Sequence, residues 1–384
     1  MILVLLQSWH SKNLELKIAY LSNSVFPSRS ANSIQVMKMC QAFAKLGNDV
    51  FLFGRTKRRD NKDEIFRFYD ISHPPVLTGV PWLPVRGRST IYAILSAILA
   101  RLKGCDLAYG RDVKSCYFAC LLGLKTIYES HAPVSLLPDF DRRIYLRLIG
   151  NGNLVLQVVI SEALRKIYEA EGIMTRNKFI VAHDGADMER NGASYHWDRS
   201  FMHVGYIGHL YQGRGMEILL SLAEHCSWAM IHVIGGTDED VEYWRRRSES
   251  LGNLKIYGHM PYGEAKKYRN SMDVLVAPFE REVRVHDNGV DTSTWMSPLK
   301  IFEYMSSGKP ILCSDLPVIR EVLSDGVNAV LVEPDNVGEW IGALRRLKED
   351  AGYRRRLGNA AARAVKEKYS WEVRAREILE AAGA

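Results

Sequence analysis

The chain has 384 residues, 47% hydrophobic and 25% charged, with a formal net charge of +7. This length exceeds one ordinary core and suits two domains of roughly 150–200 residues each. The composition excludes wholesale disorder, and no run reaches the roughly 20 apolar residues that a membrane helix needs.

The opening Met1–Gln7 is apolar but short, no cleavable signal is legible, and Met1–Ser11 reads as a start upstream of the folded domain. Charge is uneven: residues 1–190 carry +9 and the remainder −2. The basic first half implies an anionic partner, such as a membrane surface or a phosphorylated acceptor, or simply a solvated basic face. Nucleic acid is the weaker reading, because no aromatic residues interleave with the basic ones. The six cysteines include no CxxC pair and read as buried thiols in a reducing cytosol.

Along the first half, strands are expected at Lys17–Leu21, Asp49–Phe53, Leu107–Tyr109, Lys125–Tyr128 and Val155–Ile160. Helical periods lie between them at Ser33–Leu46, Ile91–Leu102, Val113–Leu122 and Glu162–Glu171. The polar stretch Asp184–Asp198, with Gly185 and Gly192, has neither period and reads as a boundary. Strands resume at Met202–Ile207, Ala229–Ile234, Leu254–Tyr257, Val274–Ala277, Ile311–Cys313 and Ala329–Val332, each followed by a helical pattern. After Asn336 the pattern is nearly all helix, ending in Trp371–Ala382. Such alternation predicts an α/β protein of two doubly wound domains, with ligands held at the carboxyl ends of the strands.

Two segments carry chemistry. Ser297-Pro298-Leu299-Lys300-Ile301-Phe302-Glu303 reads as a loop entering a helix, with Ser297 as N-cap and Pro298 at the first helical position. Free N–H groups of that first turn suit a diphosphate, with Lys300 beside it and Glu303 one turn along for a ribose diol. Gly205-Tyr206-Ile207-Gly208-His209-Leu210 followed by Arg214-Gly215 reads as a strand, a glycine turn and a second helix entry with a cation. An Arg there can neutralise charge growing on a leaving diphosphate.

Together these segments resemble the family-4 retaining glycosyltransferases of the GT-B fold, over nearly the whole chain. In that family Gly-Arg-Leu precedes Lys-Gly at a fixed spacing; here His209 stands for the Arg and Arg214 for the Lys. The second Glu of the family's Glu-x7-Glu motif is Glu303, but Trp295 occupies the first position. The segment is similar to a subgroup carrying Ser-Pro-Leu-Lys before the second Glu.

The resemblance implies two facing Rossmann-like domains, residues 1–187 on the acceptor side and 188–368 on the nucleotide-sugar side. Residues 369–384 form a helix packing back on the first domain. His131, Arg214, Lys300 and Glu303 are the implied catalytic set. Gly208, His209, Gly258, His259, Met260, Ser297, Pro298 and Leu299 would bind the donor. Ser30, Asn32, Arg111, Asp291 and Thr292 would line the acceptor or sugar pocket.

Glu129 can orient His131. The long connection Phe279–Met296, with Arg281, Arg284, His286 and Asp287, reads as shaping the sugar pocket. The resemblance implies no cofactor and no metal, and the acidic run Asp238-Glu239-Asp240 reads as the start of a helix away from the expected site. The donor would be a nucleotide diphosphate sugar, and the acceptor a glycan, a lipid or a small molecule. A cytoplasmic enzyme is implied, with two basic amphipathic stretches, Arg86–Lys103 and Arg142–Ile149, available to the inner face of a membrane. A sugar-nucleotide 2-epimerase and a catalytically silent binding subunit are the alternatives on this fold.

Overall fold

The computed structural model describes residues 15–56, 61–173, 178–188, 194–284 and 289–384. The expectations for Met1–Ser11, Gly192, His286 and Asp287 therefore fall outside the described residues, Ser11 being the last of the first group.

In the first half, β1 (Lys17–Phe26), β2 (Asp49–Thr56), β3 (Val76–Gly79), β4 (Leu107–Gly110), β5 (Lys125–Ser130), β6 (Leu154–Val159) and β7 (Lys178–Val181) form one sheet. Helices α1 (Ala31–Lys45), α2 (Lys62–Phe68), α3 (Arg88–Leu102), α4 (Val113–Leu121), α5 (Asp139–Ile149) and α6 (Glu162–Ala170) connect them. All neighbours are parallel, in the order β3-β2-β1-β4-β5-β6-β7. Strands covered on both faces must be apolar throughout rather than alternating. Ile18 to Leu21 accordingly have no exposure at all.

The second sheet has the order β10-β9-β8-β11-β12-β13. Its strands are β8 (Met202–Ile207), β9 (Ala229–Ile234), β10 (Leu254–Gly258), β11 (Val274–Ala277), β12 (Ile311–Ser314) and β13 (Val330–Val332). Helices α7 (Met216–His225), α8 (Asp238–Arg247), α9 (Tyr262–Ser271) and α10 (Leu299–Ser306) join the first five. The Asp238-Glu239-Asp240 run opens α8, where Thr237 and Asp240 form a reciprocal capping box. Turns rather than a helix link β12 to β13, a correction to the expected pattern. Asp325 accepts from the Leu331 N–H there, holding the chain in a turn where a helix was anticipated.

Each sheet starts at its centre and winds outward in both directions. The order reverses between β1 and β4 in one sheet and between β8 and β11 in the other, which opens a crevice above each point. The two crevices face one another. Ser161, the N-cap of α6, donates its hydroxyl to the Trp295 carbonyl at 2.7 Å. Glu321 accepts from the Glu162 and Ala163 N–H groups, so a carboxylate of the second domain caps the positive end of a first-domain helix.

Beyond β13 come α11 (Val337–Glu349), α12 (Ala351–Ala364) and α13 (Trp371–Ala382). Trp371, Ala375, Ile378 and Leu379 of α13 join the core of the first domain. Burial of each large side chain contributes about 1.5–3 kcal/mol, which makes the crossing back a stable junction. Among the described residues no helix is long and apolar enough to cross a membrane, and all six cysteines are free and buried.

Candidate active site between the two sheets

A cavity of about 440 Å³ lies between the carboxyl ends of the two sheets. Each wall is built by loops leaving the central strands, because only there do successive loops diverge.

The second-domain wall begins where β8 ends. A Cβ on Gly208 would come within 2.7 Å of Lys300 Nζ, so glycine at this position makes room for the lysine. Lys300 donates to the Tyr206 hydroxyl at 2.8 Å and its ammonium lies 4.0 Å from the centre of that ring. Burial, together with the neighbouring Arg214 guanidinium, holds the Lys300 ammonium well below its ordinary pKa. Arg214 is lowered too, by burial first, and its Nε is buried with no hydrogen-bond partner. Its Nη2 approaches the Arg284 carbonyl at 3.5 Å, and the guanidinium lies 5.9 Å from the centre of the Phe279 ring. Among the described residues neither cation stands in a salt bridge. Two desolvated cations side by side are costly, and an anion in the cavity would relieve both.

Above them the helix α10 starts at Leu299, with Pro298 as its N-cap and no side-chain cap. The expectation that Ser297 caps this helix is corrected. Its hydroxyl accepts from the Asp184 N–H at 2.9 Å and thus fastens the turn to the first domain. The uncapped first turn is thereby left facing the cavity, where Ser297, Pro298 and Leu299 form the rim. Glu303 lines the cavity one turn along and pairs with the nearly buried Arg269 at 3.1 Å.

His209, Met260 and Thr292 also face the cavity, the His209 ring stacking on Tyr211 at 4.7 Å. His259 lines it too and lies parallel to Phe68 of the first domain, 6.3 Å away, so the two rings face each other across the cleft.

The first-domain wall centres on Glu129 at the end of β5. Its buried carboxylate accepts from Gln35 Nε2 at 2.7 Å, meets His131 Nε2 at 2.5 Å, and pairs with Arg374 of α13 at 3.0 Å. Despite burial, Arg374 and His131 hold Glu129 below the usual carboxylate range. Burial and the Arg111 cation push His131 down to about 4, so it is a neutral imidazole at pH 7. Arg111 donates to Gln35 Oε1 at 3.0 Å and lines the cavity, as does Asn32.

Three expected residues do not face the cavity. Ser30 is the N-cap of α1, its hydroxyl accepting from the Ser33 N–H. Asp291 closes its own loop, accepting from the N–H groups of Val283 and Ser293. Gly258 sits behind the wall at φ +85°, accepting from the Gly235 N–H and turning the chain toward His259. In each case a backbone N–H satisfies the group that was assigned to a ligand, from the first turn of α1 for Ser30, from its own loop for Asp291 and from the end of β9 for Gly258. Arg281 instead pairs with Glu333 and Asp335 on the surface.

Sequence reasoning missed Gln35, Phe68, Arg269 and Arg374 and gave no site role to Asp184. A helical Gln or Arg carries no local signal of its partner. Only Asp184, in a polar stretch directly after a strand, had a position that pointed to the cleft.

Residues 202–350 match the family model of the glycosyl transferases group 1. The match lies within the second domain and covers 149 of the 384 residues. Among proteins with similar sequences are an uncharacterized glycosyltransferase of Methanocaldococcus jannaschii, 26% identical over 183 residues, and the phosphatidyl-myo-inositol mannosyltransferase of Mycolicibacterium smegmatis, 28% identical over 174. The matches cover 45% and 43% of this chain and 43% and 40% of those proteins, so the chain spans less than half the length of these curated relatives.

Solved structures extend the GT-B likeness to the whole molecule. Sucrose-phosphate synthase from Thermosynechococcus elongatus superposes with a TM-score of 0.70 at 16% identity, over 95% of this chain and 98% of that one. HepE of Anabaena, in complex with UDP and glucose, gives 0.71 at 14%, over 96% and 100%. The fold is GT-B, two facing Rossmann-like domains with a closing C-terminal helix.

Proposed function

We propose that the protein is a glycosyltransferase that takes a sugar from a nucleotide diphosphate donor held between its domains. The carrying observation is the pair Arg214 and Lys300, both desolvated and, among the described residues, in no salt bridge, beside the uncapped start of α10. A diphosphate supplies the charge this site needs, and the same cations stabilise the negative charge that develops as the glycosidic bond breaks. Glu303 would take the ribose diol and the His259–Met260 segment the base. His131, neutral and braced by Glu129, would meet a hydroxyl near the reacting carbon.

Binding of UDP and UDP-glucose by HepE makes the uridine donors the first to try. A thermal-shift panel of UDP, GDP and ADP with their sugars is the test: one base series should raise the melting temperature, and no response to any of them would end the reading. In the proposed chemistry two protein cations carry the charge a metal would otherwise carry. Transfer proceeds with retention, as the likeness to family-4 enzymes of the Ser-Pro-Leu-Lys type suggests, and the anomeric proton of the product read by NMR checks it. Incubating the donor alone separates transfer from 2-epimerisation, because only an epimerase changes the sugar without an acceptor. We place the enzyme in the cytoplasm at the inner membrane face, where a glycan, lipid-linked or small-molecule acceptor reaches the basic first domain.

A further inference from the structure

Asp184 stands out among the cavity carboxyl groups because one of its oxygens is buried without a hydrogen bond. It lies three residues beyond β7, is only 4% exposed and lines the cavity. Its Oδ1 is buried without a hydrogen bond. The backbone around it is held at three points: its N–H donates to Ser297, and Arg374 donates to the carbonyls of Ala182 and His183 just before it. The segment is therefore pinned from both domains, while the carboxyl group it carries is left for something else. A buried polar group without a partner is expensive, and such a cost persists where a ligand removes it.

Location narrows the ligand. The Asp184 N–H is tied to the residue just ahead of the proposed diphosphate helix, so the carboxyl group sits beside the phosphate end of the cleft. On its other side are Arg111, Glu129, His131 and Arg374 of the first-domain wall. A second anion is excluded there by the acid itself. A carboxyl oxygen aimed into a mostly neutralised polar floor wants a donor, and the donors of a sugar are its hydroxyls.

We propose that Asp184 accepts a hydrogen bond from a sugar hydroxyl at the junction of the two domains. The inference rests on the sugar-nucleotide reading. Two sources offer that hydroxyl, the donor's own sugar and the sugar or polyol of the acceptor. Burial, opposed in part by Arg374 and Arg111, lifts Asp184 to about 7, in keeping with a group that waits for a donor rather than one already satisfied.

Because Oδ1 of Asp184 holds no hydrogen bond within the protein, replacing the carboxyl group removes none there. Calorimetry on wild type, Asp184→Ala and Asp184→Asn compares UDP, GDP and ADP with their glucose, galactose and mannose esters. If the donor sugar is the partner, Asp184→Ala leaves the free nucleotide within about twofold but weakens the sugar ester roughly 10- to 100-fold, the range of one charge-assisted hydrogen bond. Asp184→Asn, which keeps an accepting oxygen, falls between. If the acceptor is the partner, the sugar ester binds normally, and free glucose titrated into protein saturated with the nucleotide loses affinity instead. Unchanged affinities in both arms overturn the inference while leaving the donor site intact. A wild-type protein that binds no nucleotide sinks the sugar-nucleotide reading and the inference together.

Discussion

Arg214 and Lys300 are held in an arrangement the folded protein would relax if it were free to. Burial lowers both, the Arg214 charge lowers Lys300 further, and among the described residues neither stands in a salt bridge. Replacing either cation by an uncharged side chain should therefore act in opposite directions on binding and on stability. Arg214→Ala or Lys300→Met should weaken nucleoside diphosphate binding by roughly 10- to 100-fold in calorimetry. Without ligand, Lys300→Met should unfold no earlier than wild type, and a lower melting point would mean that the lysine is a structural strut on Tyr206. Asp184 extends the same logic along the pH axis. Its carboxyl is raised from 3.8 to about 7, so the folded state holds a proton that the unfolded chain gives up. That contribution is complete below the unfolded value and is lost as pH rises toward 7. Asp184→Asn should match wild type in thermal unfolding near pH 4 and gain on it by a few degrees at pH 8. His131 has the opposite sign. Lowered from 6.5 to about 4, it leaves the unfolded chain binding more protons between those values, so its contribution is lost on acidification through that window.

At the scale of elements, α13 does more than close the fold. Arg374 is 2% exposed and reaches from that helix to Glu129, Tyr109 and the end of β7. It thereby joins the last helix of the chain to the residue that braces His131. Removing one partner of a buried pair leaves the other charge uncompensated, at a cost of about 3–5 kcal/mol. Arg374→Met should lose that much in denaturant unfolding and should misplace His131, whereas Arg374→Met with Glu129→Gln should recover most of the stability. Additive losses in the double variant would show that the two side chains do not work as a pair.

Glu129 was legible as a residue that can orient His131, but its pairing with Arg374 was not, since 245 positions separate the two. What was legible follows one rule. Central strands such as β1, β4 and β8 are apolar on both faces and declare themselves. The edge strands β3 and β7, each four residues and half exposed, do not, and the short helix α2 between β2 and β3 went unread. The site divides in the same way. Lys300, Glu303 and Arg214 belong to contiguous loop-to-helix entries with a spacing of their own. Asp291 and Ser30 had suitable chemistry, but a backbone N–H a few residues away claimed each of them. Side chains from helices, Gln35 and Arg269 among them, enter the cleft only because the fold brings them there.

For the molecule as a whole, the uneven charge acquires a surface. Helix α5 buries Ile144, Tyr145 and Leu148 and turns Arg142, Arg143, Leu146 and Arg147 to solvent, with Phe140 54% exposed in its first turn. The exposed end of α4 adds Leu121 and Leu122. Apolar side chains flanked by arginines suit an anionic lipid face, the arginines meeting headgroups and the aromatic ring entering the boundary. Helix α5 follows β5, so its first turn stands on the same side of the sheet as His131. A first domain lying on a bilayer by this helix would bring lipid-borne acceptors to the rim of the cleft while leaving the second domain free to exchange nucleotide. Each basic residue near such a surface is worth about 1 kcal/mol, so reversing all three arginines of α5 should lower partitioning by at least roughly 100-fold. Sedimentation with phosphatidylglycerol vesicles should carry down wild type at low salt and release it at high salt, where charges farther apart than about 3 Å are screened. Arg142→Glu/Arg143→Glu/Arg147→Glu should stay in the supernatant with its nucleotide affinity unchanged. Equal sedimentation of the triple variant would remove α5 from the membrane account, and sedimentation with neutral vesicles alone would remove charge from it.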